Sequence, residues 1–147
     1  MQIAFPLEQD DDGYPPFAEE VLWARKVSDT VGELVNAPFF VYGVSSGDIV
    51  SFLVSGDGAE IVFDELLSVR GHSTLRVVLL DDSKEAALVL RLRELGCAVE
   101  TGRVASLLAV DVPPGVAYPT IREILETGEA QELWEYEEAS LSQEHGE

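Results

Sequence analysis

An α+β chain of two unlike halves is what the sequence predicts, and three observations predict it. Five short apolar runs, punctuated by Gly, Asp, Asn and Pro, fill the first half. After Gly71 the pattern leaves period two and becomes an alternation of strand and helix, in the order β-α-β-β-α-β. A chain of 147 residues that is 46% hydrophobic also buries enough surface for a real core, which excludes disorder over most of its length.

Residues 1–19 read as an acidic N-terminal segment, and the first half proper is expected over 20–71. Its runs are "EEVLWARKVS", "VGELVN", "PFFVYGV", "GDIVSFLVS" and "GAEIVFDELLSVR", each rich in Val, Phe, Trp or Tyr. In the fourth, Val50, Phe52 and Val54 share one face while Ile49, Ser51, Leu53 and Ser55 share the other, so one face is cleanly apolar. "SGDG" at 55–58 marks a hairpin in which Asp57-Gly58 suits a type I′ turn. Five short strands with tight turns predict a small antiparallel, SH3-like barrel.

The second half is expected over 72–139. "STLRVVLL" is its first strand. The helix "DDSKEAALVLRLRELG" follows, with Asp82 as N-cap, Glu85 completing a capping box and Gly96 at the C′ position. Leu88, Leu92 and Leu95 form its apolar stripe. "CAVE" and "ASLLAVDV" are strands joined by "TGR". A second helix, "PTIREILETG", opens on Pro119 and is stopped by Gly128, and "QELWEYEE" closes the series. This order is the ferredoxin-like split β-α-β plan. Only "VRGH" separates Ser68 from Ser73, so the halves are expected to pack against each other without a flexible linker. Residues 140–147 lack apolar periodicity and read as a disordered acidic tail. The single cysteine, Cys97, forms no internal disulfide and reads as a small buried thiol.

The net charge of −19 comes from 28 acids against 9 bases, and it sits at the ends. Residues 1–24 carry six acids and no Lys or Arg; residues 123–147 carry nine acids and no Lys or Arg. Such a field repels nucleic-acid phosphates and anionic membrane, so neither is expected as a partner. It steers a basic protein surface inward instead. Acidic ends also serve solubility, and a chain whose only lysines are Lys26 and Lys84 resembles a salt-adapted surface, but clustering at the termini argues against that account. No apolar run reaches membrane-spanning length and the N-terminus lacks a signal-peptide pattern, so a cytoplasmic location is expected.

No catalytic, cofactor-binding or metal-ligating set emerges. "GVSSGDIVSF" contains Ser45 and Ser46, but a strand rather than a helix follows, so there is no nucleophile elbow. His72 is the only base such a serine has, because His145 falls in the tail. No Lys or helix start follows Gly47, which excludes a phosphate loop. The segment reads as a β-turn whose Asp and Ser side chains bond nearby amides. "EQDDDG" lacks the alternating acids and terminal Glu of a calcium loop. The strands "TLRVVLL" and "SLLAVDV" carry no aromatic residue on which an RNA base stacks.

Aromatics beside acids remain. "DDGYPPFAEE" sets Tyr14 and Phe17 between acidic groups with Pro15 and Pro16 fixing the backbone, and "LWEYEE" sets Trp134 and Tyr136 among Glu135, Glu137 and Glu138. Aromatics supply contact energy and charges supply rate and specificity, so these seven residues are the expected partner-binding set. The competing account of Trp134 and Tyr136 is that they cover the edge of the second core.

The run "VLWARKVSDTVGELVNAPFFVYGVSSGDIVSF", with "RVVLL", "LRELGC", "AVDVPP" and "LETGEAQELWEYEEA", resembles a bacterial family of small proteins, the domain of unknown function 4265. The resemblance runs from about Glu19 to Ala139. It rests most on the strand around Trp23, on "APFF" with the following "GD", and on "WEYEE". It implies a bacterial source and adds no reaction and no catalytic residue.

The sequence therefore predicts a non-enzymatic protein-binding module for a basic partner, of which an inhibitor or immunity-type protein is one concrete form. A small-molecule-sensing regulatory domain, with a ligand cleft between the two halves, is the alternative. A hydrolase using Ser45 or Ser46 with His72 ranks third, and a homodimer through a sheet edge is compatible with either of the first two.

Overall fold

The computed structural model describes residues 1–146, and the chain divides into two compact units, Met1–Arg70 and Gly71–Glu147. The first is a closed barrel of β1 (Gln2–Pro6), β2 (Glu19–Lys26), β3 (Val31–Leu34), β4 (Ile49–Val54) and β5 (Ile61–Ser68) in that order. Neighbours are antiparallel, and the barrel closes where β1 meets β5 in parallel at Ala4 and Val62. Its core is Ile3, Phe5, Leu22, Leu34, Val50 and Phe52 with their neighbours, and Phe5 stacks on Phe63 at 4.6 Å between ring centres. Two register irregularities between β4 and β5 bend the strands, as closing a barrel with so few strands requires.

The barrel has five strands, but not the five expected. β1 lies inside the segment expected only to be acidic, while "PFFVYGV" forms no strand. Phe39 and Phe40 are both buried, which the alternating directions of a strand do not allow on one half-buried face. Their amides bond elsewhere, to a side chain described below. The 55–58 hairpin forms, with Gly58 N–H donating to Ser55 O at 2.8 Å. Gly58 is left-handed (φ +74°) but Asp57 is not, so the turn is not type I′.

The second unit holds a four-stranded antiparallel sheet in the order β7-β8-β6-β9, where β6 is Ser73–Leu79, β7 Ala98–Glu100, β8 Leu107–Val112 and β9 Trp134–Ser140. Helices α1 (Glu85–Glu94) and α2 (Tyr118–Ala130) cover one face. Leu75, Val77, Leu108 and Val110 meet Leu88, Leu92, Ile121 and Leu125 there. Cys97 is buried, and burial pushes its thiol up to about 11.

Three local expectations change. Asp81, not Asp82, caps the turn before α1: its Oδ1 accepts from Ser83 N–H at 3.0 Å, while Asp82 Oδ1 accepts from Ser106 Oγ at 2.6 Å. Gly128 does not stop α2, which runs on to Ala130. The tail is not disordered over 141–146: His145 is 3% exposed and tied into the unit by hydrogen bonds. Glu147, the last residue of that expected tail, lies outside the described residues.

Candidate protein-docking surfaces

In the first unit, residues 7–18 connect β1 to β2 as an excursion braced by several hydrogen bonds. Leu7 N–H donates to Ala18 O (2.8 Å) and Asp10 N–H to Tyr14 O (2.8 Å), and Asp10 Oδ1 accepts from the amides of Asp12 and Tyr14 at 2.9 Å each. Gln9 Nε2 donates to Pro15 O at 2.9 Å. On this fixed backbone Tyr14 is 58% and Phe17 49% exposed. Both rings lean on buried Phe40, at 6.1 and 5.7 Å between centres. Glu8, Asp10, Asp11, Asp12 and Glu19 flank them in sequence and are all exposed.

Phe40 is itself held by a residue that sequence reasoning missed. Glu20, on β2, is 1% exposed. Its Oε2 accepts from Phe39 N–H at 2.6 Å and its Oε1 from Phe40 N–H at 2.9 Å and Val41 N–H at 3.0 Å. A carboxylate receiving three amide bonds replaces a neighbouring strand as the acceptor for this segment, and so seats Phe40 beneath Tyr14 and Phe17.

The second expected cluster is split by the fold. Trp134 is 7% exposed, and its Nε1–H donates to Leu125 O at 2.9 Å, so it is a core residue rather than a partner anchor. The reason is Gly128, whose missing side chain leaves the slot the indole fills. Glu137 faces the buried Arg76 at 3.5 Å, and Glu138 accepts from Tyr118 Oη and from Arg122 Nη2, the latter at 3.4 Å. Glu135 and half-buried Tyr136 remain at the surface, where Glu129, Glu132 and Glu135 border a depression of about 640 Å³. Burial pushes the Tyr136 phenol up, and Glu126 and Glu138 push it further. Glu129 Oε2 also accepts from Tyr136 N–H at 3.2 Å, so a helix carboxylate covers part of the backbone edge of β9.

The serine segment is a turn. Asp48 N–H donates to Ser45 O (3.1 Å), Asp48 Oδ2 accepts from Ser45 N–H (2.9 Å), and both residues are buried. His72 is engaged by Asp111, Nδ1 to Oδ1 at 2.8 Å. Burial holds the Asp111 carboxyl above its usual range, and the bond from His72 counteracts this.

His145 forms the other contact that the sequence did not announce. Its Nδ1 lies 2.6 Å from Ser73 Oγ and 3.1 Å from Ser142 Oγ, its Nε2 lies 3.0 Å from Pro113 O, and its ring lies 5.3 Å from that of Tyr118. Ser142 N–H donates to Ser73 Oγ at 2.8 Å. The Pro113 carbonyl can only accept, so Nε2–H donates to it, and in the neutral ring Nδ1 then accepts from the Ser73 hydroxyl. Ser73 has no exposed surface, so this serine–histidine contact clasps the tail and offers no nucleophile to solvent.

Among the described residues no group of three or more His, Cys, Asp or Glu side chains is arranged to hold a metal ion, and no helix is long and apolar enough to cross a membrane. No curated protein matches the chain. The crystal structure of a hypothetical protein from Neisseria gonorrhoeae is similar in fold, with a TM-score of 0.78 over 96% of this chain and 94% of that one at 23% identity. Residues 20–136, from the buried Glu20 to Tyr136, match the family described as a domain of unknown function (DUF4265), and the chain belongs to that family.

Proposed function

We propose that this chain is a non-enzymatic protein-binding module that docks a basic partner on the 7–18 excursion of its barrel unit. The observation that carries the reading is the exposure of Tyr14 and Phe17 on a backbone braced by hydrogen bonds and flanked in sequence by exposed carboxylates. A fixed loop loses little conformational freedom on binding, so aromatic burial there converts efficiently into affinity. Six acids and no Lys or Arg in residues 1–24 favour a partner rich in Lys and Arg and speed its approach. An inhibitor or immunity-type role against a basic protein is the concrete form. In the same reading the barrel is SH3-like, and the β-α-β-β-α-β unit with sheet order β7-β8-β6-β9 is ferredoxin-like. A cytoplasmic, bacterial setting completes it.

The test is affinity capture at low and moderate salt with the native chain and a Tyr14→Ala/Phe17→Ala variant side by side. A basic protein held by the native chain, released as salt rises and missed by the variant is the expected result. Equal retention by both chains, or an empty column at both salts, overturns the reading.

A further inference from the structure

The groove between the two helices of the second unit offers chemistry that the docking reading does not use. On α2, Thr120, Glu123, Ile124 and Thr127 follow the i, i+3, i+4, i+7 spacing that places them on one helix face. With Arg91 of α1 and Leu133, which precedes β9, they line a cavity of about 390 Å³. Arg91 and Glu123 are exposed, and among the described residues neither side chain has an ion-pair or hydrogen-bond partner. Arg70, Lys84 and Arg93 likewise have no carboxylate partner among the described residues, but Arg91 alone of these lines the groove. One unpaired charge of each sign therefore lines the same groove, with Ile124 and Leu133 as its apolar part.

We propose that this groove binds a free α-amino acid with an apolar side chain. Arg91 takes the carboxylate through its planar fork, Glu123 takes the ammonium, and the side chain lies on Ile124 and Leu133. Thr120 and Thr127 supply hydroxyls that serve either charged group. The charge of the whole chain selects the class: a net −19 repels a simple anion, whereas a zwitterion carries no net charge to be repelled. Small-molecule sites combine apolar walls with a few convergent polar groups in the same way. The inference is independent of the docking surface, which lies in the other unit.

The experiment titrates the full chain with L-leucine, L-valine, L-methionine and L-phenylalanine and follows backbone amide shifts by NMR. N-acetyl-L-leucine, which lacks the ammonium, and L-leucinamide, which lacks the carboxylate, are the controls. At least one free amino acid is expected to give saturable shifts at Arg91 and along 120–127, with both controls at least tenfold weaker. Arg91→Gln and Glu123→Gln should each weaken it at least tenfold while leaving the fold intact, since both side chains are exposed, and Tyr14→Ala/Phe17→Ala should not change it. Absence of saturable shifts with all four, controls that bind equally well, or unchanged binding by Arg91→Gln overturns the proposal.

Discussion

A Cβ atom placed on Gly128 would stand 1.9 Å from Cζ2 of Trp134, far inside any real contact. Helix α2 tolerates a glycine there because the indole occupies the place of its side chain. Even the smallest substitution, Gly128→Ala, forces Trp134 out of its slot and breaks the Nε1–H bond to Leu125 O. A loss of about 3 kcal/mol is expected, the upper end for overpacking a core. Urea unfolding followed by tryptophan fluorescence in a Trp23→Phe background measures it; an unchanged midpoint would show that the slot adapts.

Glu20 organises the exposed Tyr14–Phe17 patch from beneath, through Phe40. Removing its carboxylate in Glu20→Ala leaves the amides of Phe39, Phe40 and Val41 without their acceptor. Stability should fall by about 3 kcal/mol or more, at roughly 1–3 kcal/mol for each buried donor left unmet. Glu20→Gln keeps the size but turns one oxygen into an NH₂ donor facing amide donors, so it should rescue only part of the loss. Amide hydrogen exchange at 39–41 reads this directly, and protection retained in Glu20→Ala would overturn the assignment.

The contrast between these two sites shows what the sequence made legible. The Leu88/Leu92 stripe and the turn at Gly96 could be read because they are local: Cys97 N–H bonds Leu92 O at 3.0 Å and Gly96 N–H bonds Arg93 O at 3.1 Å, the double closure that a C′ glycine permits. "PFFVYGV" was misread as a strand because its high β-propensity is overridden by a carboxylate about twenty residues away in sequence. β1 was missed because five residues beside an acidic stretch reveal their pairing only against β2. Trp134 looked like an anchor because nothing near it in sequence shows that Gly128 vacates a slot. Tyr14 and Phe17 do stay exposed, since prolines and acids on both sides leave them no local core to enter.

His72 and Asp111 carry a pH dependence of definite sign. Burial raises the Asp111 carboxyl above its ordinary 3.8, so the folded state holds a proton there more tightly than the unfolded chain does. Stability from this group is present below the unfolded value and is lost as pH rises through the folded one. The ionised form is then sustained by His72, whose ring is 2.8 Å away. His72→Ala should cost about 1–3 kcal/mol at neutral pH by leaving the carboxylate without its bond, and should deepen the loss of stability as pH rises above 4. Asp111→Asn, which carries no charge, should flatten that slope. Thermal unfolding of the three chains across pH 4 to 7 tests both, and parallel curves would remove Asp111 as the origin.

Glu132 occupies a backbone conformation made for another residue. It has φ +60°, and its N–H bonds Glu129 O at 3.0 Å while Leu133 N–H bonds Gly128 O at 2.9 Å. This is the same double closure that ends α1 at Gly96, with a glutamate where glycine sits without steric cost. A side chain in the left-handed region costs about 1–2 kcal/mol, and glycine gives part of that back through its greater freedom in the unfolded chain. Glu132→Gly should therefore stabilise the protein by about 0.5–1 kcal/mol. Glu132→Ala keeps the strain and removes the same charge, so it should bring little or none of the gain. Urea midpoints of the two variants separate backbone strain from charge: equal gains would assign the effect to relief of repulsion among Glu129, Glu132 and Glu135, and a gain confined to glycine assigns it to the backbone.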